Sequence, residues 1–157
     1  STPLYSSAAS DVYKRQIKGE AETIKVFGDL ISNEERESWA PEKLSLTKVY
    51  SIKDGKKSQV IPDDDSSPVI VMGDSHTLIY HEGDDMHASG AGIVDHLQEK
   101  IGFKIFLAAS RGSSSQALRQ IYKGKEFWEE KKMLIWISSI RELTEERRWL
   151  QLPRIPR

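Results

Sequence analysis

The chain has 157 residues, of which 30% are Asp, Glu, Lys or Arg, with a formal net charge of -1 and no cysteine. That length suits one domain with its own core, and near-balanced, interspersed charge gives no electrostatic reason for a nucleic-acid or anionic-membrane partner. Without cysteine there is no disulfide, thiolate nucleophile or thiolate metal ligand, and the compartment stays open.

In chain order, residues 1–16 are rich in Ser, Ala and Tyr and lack helical or strand periodicity. The run Leu4-Tyr-Ser-Ser-Ala-Ala-Ser-Asp-Val-Tyr-Lys-Arg-Gln16 resembles a translated adapter. Residues 1–16 are therefore set apart as a non-native or disordered leader, and the domain is placed at 17–157. No apolar run approaches the roughly 18 residues of a spanning helix, and no basic-then-apolar signal segment precedes Ile17.

Ile24, Val26, Phe27, Leu30 and Ile31 have a spacing that predicts an amphipathic helix over Ile17 to Ser32, with Asn33 as its stop. Leu44 to Ile52 and Lys57 to Ile61 flank Asp54-Gly55, and this predicts a hairpin whose turn uses the positive φ open to glycine. Pro62 to Pro68 is polar, acidic and bounded by prolines, and reads as a surface loop.

Three short apolar runs follow, at Val69 to Met72, Phe103 to Ala109 and Met133 to Ser138, separated by two helical patterns. The first helix is expected over Gly92 to Ile101, with Ile93, Val94, Leu97 and Ile101 on one face and Gly102 as its stop. The second is expected over Ser114 to Tyr122, capped within Ser113 to Ser115 and ended by Gly124. Near-continuous apolar strands imply burial on both faces. The fold class is therefore α/β, in three α/β/α layers around a mainly parallel sheet. The loops that leave the strands should gather along one sheet edge, and function belongs there. Pro153 and Pro156 argue against a helix at the very end of the chain.

The first run ends as Pro68-Val-Ile-Val-Met-Gly-Asp-Ser-His-Thr77. A hydroxyl on a tight loop at a strand's carboxyl end suits an exposed nucleophile, so Ser75 is the candidate. The same residues equally suit a strand-ending turn in which Ser75 or Thr77 caps a short helix. In Ala109-Ser-Arg-Gly-Ser-Ser-Ser115, Gly112 permits close backbone approach before a helix start, and its N–H is a candidate oxyanion donor. Ordinary helix capping needs the same residues. Arg141, just past the third strand, is a candidate fixed positive charge for an oxyanion or a sugar hydroxyl. The alternative for Arg141 is an ion pair with Glu142 or Glu145.

A serine nucleophile needs an imidazole base, and all four histidines (His76, His81, His87 and His96) fall within a short span beginning beside Ser75. His76, adjacent in sequence, is read as a packing or hydrogen-bonding residue, and His96 as a helix-surface residue. His87, in Asp85-Met-His87, is the candidate base. A metal site there lacks a third ligand, and no cofactor motif is present.

Taken together, Val-Ile-Val-Met-Gly-Asp-Ser75, Ala-Ser-Arg-Gly112-Ser-Ser-Ser and Leu134-Ile-Trp-Ile-Ser-Ser-Ile-Arg-Glu-Leu143 resemble the SGNH hydrolase-like domain of the alginate O-acetyltransferase family. The resemblance runs from about Ile17 to the C-terminus. It implies an SGNH/flavodoxin-like fold and a periplasmic or otherwise extracytoplasmic acetyl transfer from an acyl donor to a polysaccharide hydroxyl, with Ser75 carrying the acetyl group. In that family the Asp and His partners come from an Asp-x-His-Trp motif upstream of the serine. This chain has no such motif, and the helix expected at Ile17 to Ser32 looks like the one that follows it. The expectation is therefore an incomplete domain whose base and orienting carboxylate lie upstream, with low turnover. The asparagine usual in SGNH hydrolases after the third strand is also absent, with Ser138, Ser139 and Ile140 near its place. Other readings are a carbohydrate esterase, a non-catalytic carbohydrate-binding module using Arg111 and Arg141, and a flavodoxin-like phosphate-binding or receiver domain. The last lacks a phosphate loop and an acidic cluster.

Overall fold

The computed structural model describes residues 16–28, 31–53, 55–59 and 64–145. Of the leader expected at 1–16, residues 1–15 lie outside the described residues, as does the tail at 149–157, while Gln16 opens the first strand.

The chain is mixed α/β, with a three-stranded antiparallel sheet followed by a three-stranded parallel one. The first sheet is built from β1 (Gln16–Val26), β2 (Glu42–Lys53) and β3 (Lys56–Gln59). The helix expected over Ile17 to Ser32 does not form: β1 is a strand that pairs with β2 from Gln16↔Ser51 to Val26↔Glu42. The apolar residues fit both periods, because Ile24 and Val26 also alternate, and the ladder to the long β2 decides between them. Gly19 weighs against a helix interior, and it sits where a Cβ would come 2.7 Å from the Tyr50 ring. The ladder shifts register between Lys18 and Ala21, so the strand bends beside that glycine. The hairpin is present as expected, with β2 and β3 joined through Gly55 at φ 74°.

The parallel sheet has β4 (Val69–Gly73) at its centre, with β5 (Phe106–Ala109) on one side and β6 (Met133–Ile137) on the other. Helices α1 (Ile93–Ile101) and α2 (Ser114–Ile121) connect the strands, as the apolar spacing predicts. Alternate residues of β4 point to opposite helices. Ile70 and Met72 pack with Phe106, Ala108, Ala117 and Ile121 on the α2 side, whereas Val69 and Val71 pack with Val94 and Ile105 on the α1 side. Ile70, Val71 and Met72 are fully buried, which stabilises the fold by about 1.5–3 kcal/mol for each side chain relative to exposure.

Gly102, at φ 80°, closes α1 by donating to Gln98 O. Gly124 does not end α2; it precedes a further short helix, α3 (Lys125–Glu129), and Ile140–Glu145 forms α4. Burial on both faces holds for β4 but not for β6. That strand has β4 on one side only, and Met133, Leu134 and Trp136 remain exposed. The antiparallel sheet meets the rest through Val49 N–H to Gly90 O (2.7 Å) and the Lys18–Glu99 ion pair (3.6 Å).

Candidate active site

Gly73 ends β4, and Ser75–Thr77 makes one 3-10 turn immediately after it. A Cβ on Gly73 would fall on the Thr77 hydroxyl and within 2.9 Å of Ile137 O. Only glycine lets the turn fold back this tightly. Ser110 N–H donates to Gly73 O (3.1 Å), which ties the loop after β5 to the end of β4.

Asp74 is buried and accepts from three donors. Its Oδ1 takes His76 N–H (2.9 Å) and lies 3.1 Å from His76 Nδ1, while its Oδ2 takes Ser139 N–H (3.0 Å) from the loop after β6. Burial pushes this carboxyl upward, but the N–H groups of Ser139 and His76 outweigh it and hold Asp74 below the usual carboxylate range. Asp74 thereby caps the turn and joins two sheet-edge loops.

Ser75, half-buried, is the first residue of that turn, and among the described residues no side chain takes its hydroxyl. Its carbonyl accepts from Leu78 N–H (3.0 Å) and Ile79 N–H (3.2 Å), which fixes its backbone in the turn. Gly112 stands in the neighbouring loop, where its N–H points back to Ser110 Oγ (3.3 Å). Ser113 caps α2, accepting from Ser115 N–H (3.1 Å).

The α2 N-terminus receives an internal anion. Glu142, buried on α4, accepts from the backbone N–H and hydroxyl of Ser114 and from Ser138 Oγ (2.6 Å). Trp136 Nε1 donates to Ser114 Oγ (2.8 Å) and completes the group. Burial opposes ionisation of Glu142, but these donors prevail and its carboxyl sits below the usual range, in the field of the α2 N-terminus. The Glu142 carboxylate is thus engaged by the Ser114 and Ser138 hydroxyls and the Ser114 amide. Arg141 itself lies exposed in the first turn of α4, two residues past the Ser139 contact with Asp74.

His87 follows a 3-10 turn at Asp84–Met86, has φ 71°, and its ring lies 6.0 Å from that of Tyr80. Its loop is closed by the Glu82–Ser89 bridge and tethered by Arg111, which reaches Glu82 through Nε (3.2 Å) and Nη2 (2.7 Å) and Asp85 through Nη1 (2.7 Å). His81 is buried, with Nδ1 3.0 Å from both oxygens of Asp95, and Gly92 N–H also donates to Asp95 (2.9 Å). His96 is half-buried on α1.

The parallel topology therefore gathers Ser75, the Gly112 loop and Arg141 behind adjacent strands, and Arg111 brings the His87 loop against the Gly112 loop. Sequence reasoning missed the roles of Asp74 and Glu142, whereas His76 makes a hydrogen bond, as expected of it. Asp74 had a local signal, an Asp two residues before the amide it caps. The link from Glu142 to Ser114 had none, since the two are 28 residues apart. Among the described residues no three His, Asp or Glu converge as metal ligands, and no helix is long and apolar enough to cross a membrane. The chain matches no protein-family model and no curated protein.

Proposed function

We propose that this protein transfers acyl groups through Ser75, accepting an acetyl group from an ester donor and passing it to a carbohydrate hydroxyl outside the cytoplasm. The observation that carries this reading is the Ser75 hydroxyl. It is half-buried at the carboxyl end of the central parallel strand, untaken by any described side chain, on a turn fixed from both sides. The acetyl group, the polysaccharide acceptor and a complete SGNH arrangement of layers rest on the resemblance of Gly-Asp-Ser75 and the Trp136 strand to the alginate O-acetyltransferase domain.

The test is covalent. On incubation with an activated acetyl ester, or with a fluorophosphonate probe, a single adduct is expected on the peptide containing Ser75. Ser75→Ala should lower ester turnover by about 10³-fold or more. An adduct elsewhere, or turnover unchanged in Ser75→Ala, overturns the reading.

A second reading, a non-catalytic glycan-binding module, is favoured by the half-exposed Trp136 indole beside the same loops. It predicts glycan binding that survives Ser75→Ala, with no adduct at all.

A further inference from the structure

Serine acyl transfer has a second half-reaction, in which an acceptor hydroxyl must lose a proton as it attacks the acyl-serine. The group that takes this proton must sit at the surface beside Ser75, because the acceptor comes from solvent. It must also be held in the tautomer that leaves its outward nitrogen unprotonated.

His81 and His76 each stand beside a buried carboxylate. In the His81–Asp95 pair both side chains are buried, at 8% and 0% exposure, and Asp95 also caps α1; this pair braces the Tyr80–His81 turn against the helix. The Asp74–His76 pair is arranged differently. The carboxylate is 4% exposed while the imidazole is 57% exposed, with Nδ1 directed at Asp74 Oδ1 across 3.1 Å. Asp74 is itself oriented by Ser139 N–H and by the His76 amide, so it cannot swing away without breaking the link between the loops after β4 and β6. A buried carboxylate fixed by backbone donors and an imidazole whose far edge faces solvent make up the orienting half of a triad. The residue between them in sequence is Ser75.

From this geometry we infer that His76 is the general base for acyl release and that Asp74 is its positioning residue. The inference rests on Ser75 being the acylated residue. An ionised Asp74 holds the proton of the neutral imidazole on Nδ1, which leaves the Nε2 lone pair toward solvent. The acceptor, a sugar hydroxyl or water, gives its proton to Nε2 as its oxygen bonds to the acyl carbon. The tetrahedral centre then collapses, the bond from the acyl carbon to Ser75 Oγ breaks, that oxygen takes a proton from water, and the exposed Nε2 gives its own proton to solvent. One ester forms, or one acid when water is the acceptor, and both Ser75 and His76 end as they began. Serine and imidazole on successive residues need not hydrogen-bond each other for this step, since the acceptor oxygen stands between them.

The inference is tested by loading the protein with acetyl groups from an activated ester, removing the excess, and following acetyl-Ser75 by intact mass. His76→Ala should acetylate at Ser75 yet release the group about 10²-fold more slowly. Added imidazole should restore release in His76→Ala while leaving the unaltered protein little changed. Asp74→Asn, which retains an acceptor for the turn, should also slow release, and imidazole should not rescue it. Since His76 is exposed, the His76→Ala result stands even where Asp74→Asn fails to fold. Release at the original rate in His76→Ala overturns the inference and leaves the Ser75 reading intact, as does slow release that imidazole does not restore. Absence of acetyl-Ser75 in every variant overturns both.

Discussion

Gly73 is the residue on which the candidate site depends most directly, because two different neighbours crowd the position its side chain would take. The Thr77 hydroxyl lies where a Cβ would be, and Ile137 O lies 2.9 Å from it. Thr77 is fully buried and its Oγ1 has no hydrogen-bond partner, so it has nowhere polar to retreat. Gly73→Ala should therefore cost about 1–3 kcal/mol through overpacking, read as a lower urea midpoint, and should displace Ser75 as the turn opens. A midpoint within error of the original would show that the turn relaxes freely. The Gly-Asp-Ser loop was legible in the sequence because its signals are local: an apolar strand, a glycine, and polar residues that cap. The use of Asp74 was half legible. Its bond to the His76 amide follows from a two-residue spacing, but the one to Ser139 spans 65 residues and depends on the sheet order.

At the level of elements, the segment from Tyr80 to His87 holds three non-glycine residues at positive φ: Tyr80 at 61°, Asp84 at 49° and His87 at 71°. Each costs about 1–3 kcal/mol and persists only where surrounding contacts enforce it. Those contacts are the backbone bonds Tyr80 N–H to Met86 O (2.9 Å) and Gly83 N–H to Ala88 O (2.9 Å), together with Arg111 gripping Glu82 and Asp85 from the loop after β5. Arg111→Ala should leave the global unfolding midpoint almost unchanged, since exposed ion pairs contribute little to it. It should, however, speed hydrogen exchange at the Tyr80 and Gly83 amides. Arg111→Lys should behave like the alanine variant, because a single ammonium cannot span both carboxylates in the way a guanidinium does. Unchanged exchange in both variants would show that the loop holds itself. The same scale explains what pattern reading got right and wrong. The β-α-β-α-β order was recoverable because β4 and β5 are apolar and the helices carry 3.6-residue spacing between glycine and serine punctuation. β1 was misread because Ile24, Phe27 and Ile31 match a helix face while Ile24 and Val26 match a strand. Only its pairing with β2, a contact distant in sequence, separates the two.

Across the whole molecule, two ionised carboxylates fasten the functional edge of the parallel sheet. Asp74 joins the end of β4 to the loop after β6, and Glu142 joins α4 and the same loop to the N-terminus of α2. Both carboxyls lie below their ordinary values in the folded protein, so both contribute stability of one sign. For a depressed carboxyl, the unfolded chain binds the proton first as pH falls. The contribution is complete above the unfolded pKa, about 4 for such groups, and is lost as pH drops through the lower folded value. The urea midpoint should therefore hold steady from pH 7 to about 5 and fall below that. Glu142→Gln separates the two carboxylates. The amide keeps one acceptor for Ser114 and turns its NH₂ group toward hydroxyls, so the variant should be less stable at pH 7. Having no proton to take up, it should also lose less stability between pH 5 and pH 3 than the original protein. Parallel curves for the two proteins would mean that Glu142 does not contribute to the acid transition, and that Asp74 with the surface carboxylates carries it alone. A flatter curve for Glu142→Gln would locate much of the protein's acid sensitivity at the edge of the sheet that holds Ser75.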